Sequence, residues 1–290
     1  MPAPPSLPAA LFRHAASGGE EPWLFHAEGW DWRWCSWGEI ARRVQAQAES
    51  LSGHVAGSRV TFSYEPRPEA IIFDLAIQAA GLVAAPAWGP PPPSPPRPSS
   101  PAPSRPTSPG EEGERQQEVV FYPSPGEVGR EGAGEGPGVR ARAGGAVVVR
   151  EGEPIELSAA ELIAMAERIR KQIGPSGRRD IFVLSGSIEI PDERAMLSWA
   201  TVAGAAVVLE PNPALRVATA AWVRPTVFHG TAAEVAALRT WVEKEKRGWL
   251  RRRPRLPFRR LRTVLLTGAE ALPLEEEAFW ADRGVRVARI

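Results

Sequence analysis

A chain of 290 residues with 43% hydrophobic and 24% charged side chains has the composition of a globular protein of one large or two ordinary domains. Its 35 basic and 34 acidic side chains leave a net charge of +1, which excludes a general nucleic-acid-binding character; the basic run from Lys244 to Arg262 is confined to one segment. The single cysteine, Cys35, excludes an internal disulfide framework and fits a reducing, cytoplasmic setting, while no apolar run approaches the ~20 residues of a membrane helix and Met1-Pro-Ala-Pro-Pro lacks the features of an export signal.

Taken in order, the chain begins with a lead-in over residues 1–20 that holds a short helix around Ala9 to Ala16. From Trp23 to Trp37 it is aromatic-rich, with Trp30, Trp32 and Trp34 alternating as in a strand or hairpin that carries its indoles on one face. Such a hairpin either packs its indoles on a helix or forms a stacking platform for bases or sugars. Ser36 and Glu39 stand at capping-box spacing ahead of a helix marked by Trp37, Ile40, Val44, Ala48 and Leu51. A strand follows at Arg59 to Tyr64, then a helix opened by Pro66 and Pro68 and ended by Gly81, then a short apolar strand at Leu82 to Pro86. Strand, helix and strand on short connections predict parallel pairing with crossover helices.

Composition breaks at Pro86. Pro and Ser dominate to Gly110, then Gly, Glu and Arg to Gly145, so residues 87–145 are expected to form a disordered insert, interrupted only by a strand-like Val119-Val-Phe-Tyr122. Order returns at Ala146 to Val149. Capping boxes at Ser158/Glu161 and Thr231/Glu234, with the Asn212-Pro213 pair, start three helices. Strands are predicted at Asp180 to Ser185, Ala205 to Leu209, Thr226 to Phe228, Arg262 to Leu266 and Val285 to Ala288. Helices are predicted at Glu193 to Val202 and Leu274 to Asp282. The alternation predicts an α/β fold, parallel sheets flanked by helices, in three parts: a first βα block over 1–86, the insert over 87–145 and a second βα block over 146–290.

Few residues carry a chemical signature of their own. His14, His26, His54 and His229 stand at no metal-ligand spacing with Cys or a carboxylate, so no metal site is predicted. Cys35, among tryptophans and without a local base, reads as a buried structural thiol. Gly126, Gly129 and Gly132 form a spaced series with no lysine partner. More telling is Leu261-Arg-Thr-Val-Leu-Leu-Thr-Gly-Ala-Glu-Ala-Leu-Pro273, a short apolar strand that runs into Thr267-Gly268. Open α/β sheets place ligands at such strand ends.

Trp34-Cys-Ser-Trp-Gly-Glu-Ile-Ala41, Gly57-Ser-Arg-Val-Thr-Phe62 and Ala76-Ile-Gln-Ala-Ala-Gly-Leu-Val-Ala-Ala-Pro86 are followed by Ala203-Gly-Ala-Ala-Val-Val-Leu209, Arg224-Pro-Thr-Val-Phe-His-Gly-Thr231 and the stretch at 261–273. In that order they resemble segments of the adenylate-forming superfamily, which includes acyl-CoA synthetases, peptide-synthetase adenylation domains and luciferase. The resemblance implies activation of a carboxylate by ATP to an acyl-adenylate with release of pyrophosphate, then transfer to a thiol. The nucleotide implied is ATP or AMP, with Mg²⁺ in an active enzyme. It also implies an adenine-pocket wall at Thr267, Gly268, Ala269 and Glu270, and a phosphate-loop remnant at Ser124, Gly126 and Gly129. The family's hydroxyl-rich loop closing on lysine is replaced here by Tyr122-Pro-Ser-Pro-Gly-Glu-Val-Gly-Arg-Glu-Gly132. Pro125 lacks a backbone donor, and Glu127 and Glu131 repel a triphosphate. The family's Mg²⁺-binding glutamate, ribose aspartate and C-terminal lysine have no counterpart before Ile290, and no catalytic residue is assigned.

Three functions stay open on these residues. One is an AMP-dependent synthetase/ligase of the acyl-CoA synthetase type, impaired or inactive alone. Another is a non-catalytic module that binds an acyl group, a nucleotide or a protein. The third is an incomplete half of a split enzyme. An unrelated Rossmann-like enzyme is disfavoured by the lack of an ordered glycine fingerprint after the first strand. The expected partners are a small-molecule carboxylate or acyl ligand, and a protein or second copy at the sheet edge left by Val285 to Ala288. Neither nucleic acid nor a membrane span is expected.

Overall fold

The computed structural model describes residues 5–28, 31–63, 65–87, 144–150, 153–244, 260–268 and 270–290. The expected insert between 88 and 143, with Val119 to Tyr122, Ser124, Gly126 and Gly129, lies outside the described residues, as do Trp30, most of the basic run and Ala269.

The N-terminal part runs α1 (Leu7–Gly18), β1 (Pro22–Glu28), β2 (Asp31–Ser36), α2 (Trp37–Ser50), β3 (Arg59–Ser63), α3 (Pro68–Ala79) and β4 (Val83–Ala87). After residue 143 come β5 (Gly145–Arg150), β6 (Glu153–Ser158), α4 (Ala159–Ile173), β7 (Ile181–Leu184), α5 (Pro191–Ala203) and β8 (Ala206–Leu209). The chain continues through α6 (Pro213–Val223), β9 (Val227–Gly230), α7 (Ala232–Lys244), β10 (Thr263–Leu266), α8 (Leu274–Ala281) and β11 (Arg286–Arg289).

Local sequence explains where several helices begin. Ser36 Oγ accepts from the Glu39 amide at 3.1 Å and so caps α2. Ser158 and Glu161 form a reciprocal box ahead of α4, with Oγ accepting from the Glu161 amide at 3.3 Å and Oε2 accepting from the Ser158 amide at 2.7 Å. Thr231 and Glu234 repeat that arrangement at 3.3 and 2.9 Å. Gly204 ends α5 at φ +79, in the left-handed region, and a Cβ there would stand 2.8 Å from His14 Cε1. The strand β6 has no signal in the sequence, because its residues are nearly all exposed and show no apolar alternation. It forms because β5 supplies an antiparallel partner, register Val148↔Ile155.

Among the described residues the strands make two sheets. The larger has seven strands in the order β11-β10-β9-β7-β8-β1-β2, parallel except for the β1/β2 hairpin. The smaller has four in the order β3-β4-β5-β6, with β6 antiparallel. Both sheets take strands from either side of residues 88–143: β1 lies parallel to β8, and β4 lies parallel to β5.

Alternating side chains send the large sheet's faces into two cores. Phe182, Leu184, Val207, Leu209, Val227 and Leu265 face the core shared with α1 to α5 and the small sheet. Val183, Val208, Phe228, Val264 and Leu266 face α6, α7 and α8. The first core encloses an ion pair with no exposed surface: Arg194 of α5 donates to both carboxylate oxygens of Asp74 in α3, at 2.6 and 2.9 Å. Gln78 donates to Asp74 at 2.7 Å, and Arg194 Nε donates to the Ile188 carbonyl at 2.9 Å. The pair therefore ties α3 to α5 and to the loop ahead of α5.

Candidate functional site

The strand order of the large sheet marks a place for a ligand. From β7 the chain crosses to β8 on one side and then returns past β7 to β9 on the other. The helices of these two crossovers pack on opposite faces, α5 in the first core and α6 in the second. A parallel sheet wound both ways leaves a crevice outside the carboxyl ends of the strands where the direction reverses. Here the direction reverses between β7 and β9.

Polar side chains gather there. His229 is in β9 and shares the face of Val227, so it points to the α5 side of the sheet. Glu193 stands in the first turn of α5, Arg216 in the first turn of α6 and Glu234 in the first turn of α7. Although ionisable, His229 is only 2% exposed, Glu193 5% and Arg216 7%. Arg216 Nη2 donates to the His229 carbonyl at 2.8 Å, and Nη1 donates to Glu234 Oε1 at 3.0 Å. Glu193 Oε2 accepts from the Ser185 amide at the end of β7 at 3.1 Å. Its Oε1 is 3.5 Å from His229 Nδ1 and 3.9 Å from Arg216 Nη2.

Burial sets the proton states. It lowers His229 from 6.5 to about 4, and Arg216 pushes the same way while Asp192 and Glu234 oppose. The imidazole is neutral at pH 7, so its approach to Glu193 is not an ion pair. Burial also raises the Glu193 carboxyl above its ordinary value, against the attraction of Arg216 and hydrogen bonds from Ser185 and Gly186. Three polar atoms of this cluster, His229 Nδ1, His229 Nε2 and Arg216 Nε, have no hydrogen-bond partner. They are a third of the nine such buried side-chain atoms among the described residues, and they fall on two neighbouring side chains.

The sequence marks Glu234 only as a helix cap and His229 only as one of four scattered histidines within a family-like segment, and it assigns none of these residues to a site. The available signal was a lone histidine in the apolar run Val227-Phe-His-Gly230. The strand extends two residues past the expected Thr226 to Phe228 and so holds His229.

The predicted Thr267-Gly268 turn is one strand further along. Leu265 pairs with His229 and Leu266 with Gly230, after which the Thr267 amide donates to the Gly230 carbonyl at 3.0 Å. Thr267 is half-buried, while Gly268 and Glu270 are exposed. The turn and the buried cluster thus share the carboxyl edge of adjacent strands.

Solved structures match this arrangement over almost its whole length. The inhibitor-bound N-terminal domain of FACL13 from Mycobacterium tuberculosis superposes with a TM-score of 0.66 at 12% identity, covering 98% of this chain and 75% of that one. The fold is that of the N-terminal domain of adenylate-forming enzymes. Two further structures with the adenylate-forming fold are similar. The long-chain-fatty-acid-CoA ligase FadD1 from Archaeoglobus fulgidus gives a TM-score of 0.67 at 13% identity, covering 100% of this chain. The nonribosomal peptide synthetase FmoA3, in its AMPPNP-bound form, gives 0.67 at 15%, covering 99%. The chain spans 64% of the length of FadD1 and 31% of that of FmoA3. No family model matches the sequence, and no curated protein matches it.

At the turn after β10 Gly268 has φ +80, in the left-handed region, and nothing stands within 4 Å of where its Cβ would be, so the backbone there is open to close approach. Among the described residues no group of three or more His, Cys, Asp or Glu that could hold a metal ion is found.

The aromatic hairpin lies elsewhere on the fold, and two of its indoles, Trp23 and Trp32, pack on helices while Trp34 is 51% exposed. Trp23 stacks on Trp37 of α2 with ring centres 4.4 Å apart, and Trp32 stacks on Trp222 of α6 at 5.5 Å. Trp32 and Trp222 line an apolar groove of about 220 Å³ with Phe25, Ile181, Val208 and Val223. Cys35 is buried, and burial, followed by nearby Glu39, pushes its thiol up to about 11, which suppresses the reactive thiolate. Among the described residues no helix is long and apolar enough to cross a membrane.

Proposed function

We propose that this chain is a divergent adenylate-forming protein that binds an adenine nucleotide against Thr267, Gly268, Ala269 and Glu270 and a carboxylic acid in the neighbouring crevice. The observation that carries this is the pairing of a fold shared with adenylate-forming enzymes and an open glycine turn at the carboxyl end of β10. The associated reaction is attack of a carboxylate oxygen on the α-phosphorus of ATP, with the bond to the departing pyrophosphate breaking and an acyl-adenylate forming.

Catalysis by these residues is weak or absent in this reading. The segment expected to cradle the phosphates reads Tyr122-Pro-Ser-Pro-Gly-Glu-Val-Gly-Arg-Glu-Gly132. Ser124, Gly126 and Gly129 are its only remnants of a phosphate loop. Charge stabilisation at the reacting phosphorus needs oriented donors and cations, whereas this segment sets two glutamates and two prolines against a single arginine, Arg130. The protein is therefore chiefly a nucleotide- and acid-binding module, with the cytoplasm as its proposed setting. The outer edge of β11 can accept a further strand from a partner or a second copy; a concentration-independent monomer on gel filtration would remove that part.

The test is ligand-dependent thermal stability together with ATP–pyrophosphate exchange. A ligand that binds only the folded state raises the melting temperature. Stabilisation by ATP or AMP without exchange supports the binding module. Exchange above a no-acid control would show competent catalysis, and no response to any adenine nucleotide would sink the proposal.

A further inference from the structure

We infer that Glu193, Arg216 and His229 read the far end of the bound acid, and that this end carries a neutral hydroxyl or carboxamide and not a hydrocarbon chain. The inference rests on the proposal that a carboxylic acid binds beside the nucleotide. It names the class of acid.

The place is where a doubly wound sheet receives ligands, between the carboxyl ends of β7 and β9. A hydrocarbon-binding crevice would be lined by apolar side chains there. Instead it holds an imidazole, a guanidinium and a carboxyl group, each more than nine-tenths buried. A buried donor or acceptor without a partner destabilises the fold, and three such atoms sit here together. Stabilising a fold does not require that expense, so a missing partner accounts for it best.

The orphaned atoms define the partner. A neutral imidazole offers one donor and one acceptor, and Arg216 Nε offers a donor. The complementary group must both accept and donate. An ammonium has nothing to accept with and leaves Arg216 Nε unpaired. A second carboxylate cannot donate to the imidazole, and it meets Glu193, Asp192 and Glu234 at close quarters. A hydroxyl can accept from Arg216 Nε and donate to one imidazole nitrogen with a single oxygen, and a carboxamide can do the same with its oxygen and its amide hydrogens; Nδ1, on the other side of the ring from Nε2, faces Glu193 Oε1 at 3.5 Å. An alkyl chain does neither, and would leave all three atoms unpaired. Sites built to hydrogen-bond a substrate group reject analogues that lack it far more strongly than apolar pockets sort chain lengths.

The test measures affinities of the intact chain by calorimetry in the presence of AMP, after AMP alone has been shown to bind. The probes are γ-hydroxybutyrate and succinamate against the apolar valerate and palmitate. Both polar acids are expected to bind at least tenfold more tightly than either apolar acid. His229→Phe is expected to erase that preference and keep AMP affinity within twofold; His229→Gln, which still donates and accepts, should restore part of it. If His229→Phe does not fold, the wild-type ranking and His229→Gln decide. Palmitate or valerate binding as tightly as the polar acids overturns the inference. So does AMP binding with no response to any acid, which would mean that buried water alone fills the cluster. Failure of AMP itself to bind would instead bring down the underlying proposal, and this inference with it.

Discussion

Replacing Asp74 with alanine should be among the most damaging single changes in the protein. Asp74 and Arg194 have no exposed surface, and the two short bonds between them are the guanidinium's route to neutrality inside the core. Alanine leaves a buried guanidinium facing an apolar wall and strips Gln78 of its acceptor. Breaking a buried pair by removing one partner costs about 3–5 kcal/mol, mostly because the remaining charge is uncompensated. For a domain of this size each kcal/mol lowers the melting temperature by about 2–4 °C, so a fall of roughly 6–20 °C is expected. The double variant Asp74→Leu with Arg194→Met removes both charges and should recover most of the loss, since apolar replacement of a buried pair is often neutral. Urea denaturation followed by far-ultraviolet circular dichroism measures both, with the denaturant slope checked for constancy. A loss below about 1 kcal/mol for Asp74→Ala, typical of an exposed pair, would show that water reaches the guanidinium. A double variant as unstable as the two single losses combined would show that the pair stabilises through shape and not through charge.

Three further outcomes follow from particular residues. The lowered His229 value makes stability fall with acid: the unfolded chain takes up the proton near 6.5 while the folded chain resists it to about 4, so His229's contribution is complete above 6.5 and is lost progressively down to about 4. The full difference amounts to about 3 kcal/mol, and denaturation of wild type and His229→Phe across that range should diverge by this slope; Glu193, raised by burial, acts with the opposite sign as pH rises through its folded value. Gly204→Ala should cost at least about 1–2 kcal/mol, because a non-glycine residue is strained in the left-handed region and the new methyl stands 2.8 Å from His14 Cε1; a urea midpoint equal to wild type would refute this. Ser36→Ala removes the cap that holds the Glu39 amide at 3.1 Å, and the expected loss is about 1 kcal/mol in the same assay.

Much of the fold was legible because it is written in short-range signals. The caps at Ser36, Ser158, Asn212 and Thr231 each find their predicted amide in the structure. Apolar runs such as Ala206–Leu209 and Thr263–Leu266 are strands within a residue or two of expectation. Pairing between distant segments was not legible. Nothing local in Leu24 or Phe25 indicates that they lie beside Val207 and Val208, and β6 carries no apolar pattern to betray it. The same limit applies to the site. Thr267-Gly268 could be found because strand and turn adjoin in the chain. Glu193, Arg216 and His229 come from three elements, and only the reversal of strand order between β8 and β9 brings them together.

The interleaving of the two sheets bears on how the chain can be divided. Neither the part before residue 88 nor the part after residue 143 owns a complete sheet. Leu11 and Ile71 from the first share one core with Phe182 and Met196 from the second, and the Asp74–Arg194 pair spans the same boundary. A peptide-bond cut anywhere within residues 88–143 severs the backbone and leaves that shared core closed. The two pieces should stay together as a noncovalent heterodimer, and either one produced alone would present its half of the core to water until the other arrived.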